Sequence, residues 1–321
     1  MNEVSVVIPN YNGKHFLIPC LEALGRQSMK DFEIIIIDNG SRDGSAEFLK
    51  AEYPEVRLIE FNENTGFCKA INTGVTASKA KYVLLLNNDT IPEEGFVEEL
   101  YKGISSRKNV FSCASCMLTV DDHGILDSAG DLYSALGWAF ARGHNKPAEL
   151  FDKPCRIFSA CAGAAIYNRE LFIRLGMLDE EHFAYMEDID LGYRARINGY
   201  DNWYIPTARV VHVGSGTSGS AHNEFKVKHS SRNNVYIIYK NMPPAQRIIN
   251  SPFLFAGFTI KKLYFAKKGF KETYNNGLKE GKRLALSEKG RKRTQKFKLS
   301  NLKNYCKIQL ELWANMFRRR V

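Results

Sequence analysis

An α/β fold with a mostly parallel central sheet is what the first 90 residues predict, on three observations. Short apolar runs alternate with stretches of helical period. The runs are rich in Val, Ile and Leu without polar alternation, as in strands buried on both faces. Each run ends in a cluster of Asn, Asp and Gly, which right-handed crossovers would deliver to one edge of the sheet.

Strands are expected over residues 4–8, 32–37, 56–61 and 82–86, and helices over 16–27, 45–52 and 67–78. The clusters at the strand ends are Pro9-Asn10-Tyr11-Asn12-Gly13, Asp38-Asn39-Gly40-Ser41, Asn62-Glu63-Asn64-Thr65-Gly66 and Asn87-Asn88-Asp89-Thr90. One such cluster is an ordinary turn. Four in register point to a shared ligand site at the edge where open α/β sheets bind.

Beyond the first sheet segment, residues 121–158 are irregular and read as a β-rich insertion or an acceptor-side loop region. Order returns with a strand over 157–167, a short helix over 169–175 and a helix over 187–198 that opens on acids, as the helix dipole favours. Strands at 202–205 and 209–213 lead into a Gly/Ser loop over 214–221, and a helix follows over 224–241. Pro243-Pro244 then mark a boundary, dividing residues 1–242 from a basic helical region over 243–321. No internal repeat is visible.

Composition supports an ordinary globular body. The 321 residues are 44% hydrophobic and 25% charged, which excludes wholesale disorder and fibrous architectures. No uncharged apolar window reaches the roughly 18 residues of a membrane span; the longest candidate, 252–260, stops at Lys261-Lys262. Met1-Asn2-Glu3 shows neither a basic leader nor a cleavage site, and seven scattered Cys make no disulfide framework. A reducing, cytoplasmic setting is therefore expected. The net charge of +10 conceals a division: residues 261–321 carry 19 Lys/Arg against 4 Asp/Glu, the rest 26 against 31. A mildly acidic body bears a strongly basic tail.

Three places carry candidate chemistry. Asp89 is one carboxylate among amides at a strand end, suited to a hard divalent cation shared with a diphosphate. Asp89-Thr90-Ile91-Pro92-Glu93 is equally a helix start with Asp89 as its cap. In Glu187-Asp188-Ile189-Asp190, helical geometry puts Glu187 and Asp190 on one face, with Asp190 placed to pair with Arg194. Asp188 is then the carboxylate left free for general-base work, unless these acids merely complement the helix dipole. His212 stands in a strand before the Gly/Ser loop, either a satisfied buried histidine or a nitrogen ligand to a metal at the sheet edge. Two signals are set aside. Residues 214–219 match G-x-G-x-x-G but come at the end of the sheet with no ribose-binding acid about 20 residues on. Cys113 and Cys116 have no second pair for a zinc site and read as core.

The ordered set Ser5-Val-Val-Ile-Pro9-Asn-Tyr11-Asn, Ile37-Asp38-Asn39-Gly-Ser41-Arg-Asp43-Gly, Asn64-Thr-Gly66-Phe67, Leu86-Asn87-Asn88-Asp89-Thr90 and Phe183-Ala-Tyr-Met-Glu187-Asp188-Ile-Asp190-Leu-Gly-Tyr-Arg194 resembles the inverting family 2 glycosyltransferases. Tyr204-Ile-Pro206-Thr-Ala208-Arg-Val-Val-His212 belongs to the same likeness, which covers residues 1 to 240 and is nearest to a bacterial rhamnosyltransferase-type branch. The resemblance implies a GT-A fold and transfer of one sugar from dTDP-rhamnose or a UDP-hexose to a hydroxyl of a lipid-linked or oligosaccharide acceptor. It places Pro9, Tyr11, Asp38, Asn39, Asn64, Gly66, Lys69, Asn87 and Asn88 around the nucleotide-sugar, with Asp38 accepting from the imide N–H of uracil or thymine. Asn87-Asn88-Asp89 corresponds to the family's D-x-D motif with its first acid replaced by an amide. Asp89 would then carry Mg²⁺ or Mn²⁺ with His212 as second ligand, and Asp188 would be the catalytic base. With no Q-x-x-R-W stretch and no flanking spans, single-sugar addition is expected.

The tail admits rival expectations. Basic residues among Phe, Leu, Tyr and Trp313 suit an anionic membrane surface, which the lipid-linked acceptor favours, placing the protein on the inner face of the cell membrane. A face packed on the body or between copies in a homo-oligomer is the plainer alternative; nucleic acid is not expected. Two rival functions share the fold. A nucleotidyltransferase acting on sugar phosphates should show a Gly-rich basic loop after the first strand, which residues 9–14 match poorly. A non-catalytic nucleotide-sugar-binding scaffold would not need Asp89, Asp188 and His212 together.

Overall fold

In the computed structural model, residues 2–213 and 222–318 are described. The Gly/Ser loop expected at 214–221 lies outside them. Strands β1 (Val4–Asn10), β2 (Phe32–Asp38), β3 (Arg57–Glu60) and β4 (Tyr82–Leu86) alternate with helices α1 (Lys14–Gly25), α2 (Ser45–Glu52) and α3 (Phe67–Ala77). The strands pair in parallel in the order β3-β2-β1-β4, with Asn10 in register beside Asp38. Their side chains alternate between two cores. Val6, Ile8, Ile36 and Leu84 meet Leu17, Leu21 and Leu24 of α1 on one face. Val7, Ile35, Ile37 and Leu85 meet Ile71 and Val75 of α3 on the other. Strands covered on both faces carry no polar alternation, which is why these runs are continuously apolar.

After β4 one of the two readings left open for Asp89 falls. Asp89 does not cap a helix. Thr90–Pro92 forms β5, and the next helix, α4 (Phe96–Ser105), starts behind Gly95. The cap fails because β5 is drawn into a pairing with a much later strand, so a tertiary contact overrides a local helix-start signal. Helix α4 and the long strand β6 (Val110–Thr119) fall in a stretch for which the sequence suggested no element.

The region expected to be β-rich contains β7 (Leu126–Ser128), β8 (Asp131–Tyr133), β9 (Ala139–Ala141) and β10 (Cys155–Ile157). The strand expected at 157–167 is divided: β10 ends at Ile157, and β11 (Ala164–Asn168) runs antiparallel between β4 and β6. Small residues 159–163 make the turn between them, held where Tyr167 Oη donates to Ala160 O at 2.9 Å. Helices α5 (Arg169–Arg174) and α6 (Glu187–Ile197) come next. The two strands expected around Pro206 are one, β12 (Asp201–His212), parallel to β6 with a register shift between Ile205 and Arg209. Proline has no N–H for the ladder, and the irregularity falls there.

Helices α7 (Glu224–Asn241), α8 (Pro244–Lys267), α9 (Lys271–Leu286), α10 (Glu288–Arg293) and α11 (Leu302–Arg318) complete the chain. They are not set apart from the sheet. Tyr305, Ile308 and Leu312 of α11 share a buried cluster with Leu132, Phe158, Ile189, Tyr193 and Ile237, and Trp313 packs at its margin. Arg293, within the basic run, forms an ion pair with buried Asp179. Part of the tail's charge and aromatic content thus holds the tail to the body. Among the described residues, no helix is long and apolar enough to cross a membrane.

Candidate active site

The sheet edge is assembled as the strand order dictates. Asn10 at the end of β1 donates from Nδ2 to Asp38 Oδ2 at 3.0 Å and accepts at Oδ1 from Asn88 Nδ2 at 2.7 Å. Asn39 Oδ1 accepts from the Thr65 amide at 2.9 Å, while its Nδ2 donates to Asn64 Oδ1 at 3.1 Å. Amides fit here because each both donates and accepts, linking four strand ends without net charge.

These residues border a cavity of about 780 Å³ lined by Pro9, Tyr11, Asn39, Asn64, Asn87, Asn88, Asp89, Asp188 and His212, among others. Nine of the twelve residues expected at the site thus converge. Asp38 stands behind the lining, with Oδ1 accepting from the Ser41 amide at 2.9 Å. Gly66 lies beyond the wall: a Cβ there would be 2.6 Å from the Phe183 ring, and its φ of +91° suits glycine. Lys69 is the clear departure. It lies on the outer side of α3 with Nζ 3.9 Å from Glu180, because one turn past Gly66 the helix has left the edge.

Below β4, His212 is aimed by two carboxylates. Its Nδ1 is 2.8 Å from Asp127 Oδ2 and its Nε2 is 3.5 Å from Asp89 Oδ1. Burial alone would lower the His212 pKa; hydrogen bonding to Asp127 and Asp89 outweighs it and raises the value to about 9. A carboxylate behind a histidine, fixing its ring and basicity, is the usual support for a metal-binding imidazole. Asp89 and His212 therefore fit a hard divalent ion with positions left for diphosphate oxygens. A second cluster fits less well. Asp131, Cys161 and Asp188 offer atoms within 4.8 Å of one another, but burial pushes the Cys161 thiol well up and a neutral thiol is a poor ligand for Mg²⁺ or Mn²⁺.

Asp188 is the second residue of α6, which follows a strained loop. Phe183, Tyr185 and Met186 adopt φ of +62°, +69° and +70°, a left-handed conformation that side chains resist. Asn233 of α7 holds it, donating from Nδ2 to the carbonyls of His182, Ala184 and Tyr185 at 2.9, 2.9 and 2.8 Å. The neighbouring acids have separate surroundings. Asp190 is fully engaged, 2.7 Å from Arg194 Nη2 and 2.8 Å from Lys240 Nζ. Burial would raise its pKa, but these cations hold the carboxyl far below the usual range. Burial pushes Glu187 up to about 8, and its Oε2 has no hydrogen-bond partner.

Asp188 and Asp131 form a half-buried acid pair in which desolvation raises both. Asp131 keeps the shared proton, because only Asp188 accepts from backbone amides, including that of Ile189 at 2.7 Å. The pair lies between the first cavity and a second of about 470 Å³, lined by Asp127, Asp131, Phe140, Arg142 and Lys146. Asn87, Cys161 and His212 border both. Asp127 and Asp131 are the residues at the site that sequence reasoning did not single out. The one signal available was two acids four apart around Gly130 in the stretch read as acceptor-side.

A model of the family described as glycosyl transferase family 2 matches residues 5–176. An N-acetylglucosaminyl-diphospho-decaprenol L-rhamnosyltransferase of Mycobacterium tuberculosis is 26% identical over 240 residues, 67% of this chain and 77% of that protein. Glycosyltransferase GlyG of Streptococcus pneumoniae is 32% identical over 107 residues, 32% of this chain; the match spans only 36% of GlyG's length. Among solved structures, Staphylococcus aureus TarS 1–349 superposes with a TM-score of 0.58 at 16% identity, over 92% of this chain and 83% of that one. GalNAc-T7 with UDP, GalNAc and Mn²⁺ gives 0.60 at 18%, over 75% and 48%. The folds are alike, a GT-A sheet covered by helices. The chain belongs to glycosyl transferase family 2.

Proposed function

We propose that this protein transfers a single sugar from dTDP-rhamnose or a UDP-hexose to a hydroxyl of a lipid-linked saccharide, inverting the anomeric configuration, in bacterial surface-polysaccharide synthesis. One observation carries the reading: Asp188 lines the cavity bordered by the Asp89–His212 pair, and its partner acid Asp131 lines the adjoining cavity bordered by the 121–158 region. The mycobacterial relative supports the sugar and acceptor class, since its name couples a rhamnosyl donor with a polyprenyl diphosphate-linked saccharide.

The donor occupies the larger cavity. Pro9 and Tyr11 flank the base and ribose, and the Asp38 oxygens retain lone pairs for an imide N–H beyond those given to Asn10 and Ser41. Asn39, Asn64, Asn87 and Asn88 keep the edge in shape and offer amides to the diphosphate. Asp89 and His212 would hold Mg²⁺ or Mn²⁺, which when bound neutralises charge on the departing nucleoside diphosphate. GalNAc-T7, of the same fold, was crystallised with Mn²⁺.

The acceptor enters through the smaller cavity. Asp188 takes the proton from its hydroxyl as that oxygen bonds to the anomeric carbon and the bond to the diphosphate breaks on the opposite face. Asp131, keeping its own proton, donates to Asp188 and leaves it the ionised member of the pair. Incubation with UDP-, dTDP- and GDP-sugars, scored for metal-dependent donor hydrolysis, tests the reading. Hydrolysis of one donor class that stops with EDTA supports it; no turnover with any donor, in folded protein, contradicts it.

A further inference from the structure

Helix α8 is held on its inner side and bare on its outer side. Gln246, Asn250, Leu254 and Gly257 are buried. Gly257 accepts at its carbonyl from Trp138 Nε1 at 3.1 Å, and a Cβ there would meet Leu136 O at 2.0 Å. Asn250 and Gln309 exchange two amide hydrogen bonds of 2.8 Å. These contacts fix the helix's rotation. The opposite side then presents Ile248, Phe255 and Leu263 at 72%, 76% and 61% exposure, with Ile249 and Ile260 beside them. Spacings of seven and eight residues, two helical turns, set the first three in one stripe. From Ile248 to Ile260 the helix carries no charged residue. An exposed apolar stripe of this length marks an interaction surface.

The structure assigns this stripe to the surface of an anionic bilayer, with α8 lying in the plane of the headgroups. The charge pattern chooses the occupant. Helix α8 exposes Lys262 and Lys267 and contains no acidic residue, and exposed Lys268 and Lys271 follow it, while Arg247 and Lys261 lie over the Tyr239 and Trp138 rings. A second copy would bring the same cations to the interface with no acid on the helix to meet them. An anionic leaflet supplies the opposite charge over the whole face while the apolar side chains enter the acyl boundary. The helix also lies next to the catalytic cavity. Lys261 and Phe265 line a cavity of about 260 Å³ together with Met186 and Lys226, and the last two also border the donor cavity. Docking itself does not depend on the sugar-transfer reading; its use, presenting a lipid-linked acceptor beside Asp188, rests on it.

The test uses the full chain and two vesicle types, phosphatidylcholine alone and phosphatidylcholine mixed with phosphatidylglycerol, with binding read by co-sedimentation. Wild type should bind the mixed vesicles. I248S/F255S should bind them about tenfold more weakly or worse, because two large side chains no longer leave water. K262E/K267E should lose the preference for the anionic vesicles. Thermal unfolding followed by circular dichroism shows that each variant is folded, so the result is independent of whether donor hydrolysis is ever found. Equal binding by wild type and I248S/F255S overturns the assignment. So does a wild-type dimer, seen by light scattering and broken by I248S/F255S, in protein that ignores both vesicle types.

Discussion

Asp127 Oδ2 lies 2.8 Å from His212 Nδ1, and that contact turns the other ring nitrogen toward Asp89, 3.5 Å away. Strand β7 thus supplies the carboxylate that aims a histidine 85 residues further along the chain. Substituting Asp127→Ala should leave the first ligand untouched yet weaken Mn²⁺-dependent nucleotide binding by about 10- to 100-fold, the usual cost of removing the partner of a metal-binding histidine. Calorimetric titration of UDP or dTDP with and without Mn²⁺ checks it.

The same contact makes a pH prediction. His212 has a folded pKa raised to about 9 from an ordinary 6.5. Its contribution to stability in metal-free protein is fully present below pH 6.5 and is lost as pH rises through 9. Mn²⁺ must displace that proton, so its affinity should climb across the same window. Metal-free melting temperature and Mn²⁺ affinity, measured at several pH values from about 6 to 9.5, should move in opposite directions.

Asp131 gives a test that separates positioning from folding. Asp131→Asn retains a donor to Asp188 and should keep most of the turnover. Asp131→Ala removes it and should reduce kcat by about tenfold or more with donor affinity unchanged, within the range typical of general-base support. Equal loss in both variants would mean that the carboxyl has a different task.

The parallel sheet and most of its edge were legible because both depend on local pattern. Val, Ile and Leu runs mark strands covered on both faces, and Asn, Asp and Gly mark the turns at their ends. The Asp190–Arg194 pair was legible for a similar reason, being one helical turn long. Helix α4 and strand β6 lie in a stretch for which no element was suggested, and β5 was not foreseen, a helix start being one of two readings left open there, because its partner lies about 120 residues further on. Asp127 and Asp131 were hidden for a related reason. Their roles arise from contacts with His212 and Asp188, which no local period announces.

Leu312 shows what the tail does for the body. It is fully buried among Tyr133, Phe158 and Tyr193, and its carbonyl accepts from the Ala135 amide at 2.9 Å. Leu312→Ala should cost about 2–5 kcal/mol of stability, as other truncations of buried leucine do. Denaturant unfolding measures it, and a change under about 1 kcal/mol would mean that α11 is only loosely attached.

The central claim is that Asp188 is the base, and Asp188→Asn tests it most directly. The amide preserves shape and reach but accepts no proton. With an active donor and acceptor in hand, kcat should fall by about 100-fold or more while the donor dissociation constant stays within about threefold of wild type. Intact turnover with a loss confined to donor affinity would contradict the account, and Glu187 would become the first residue to examine.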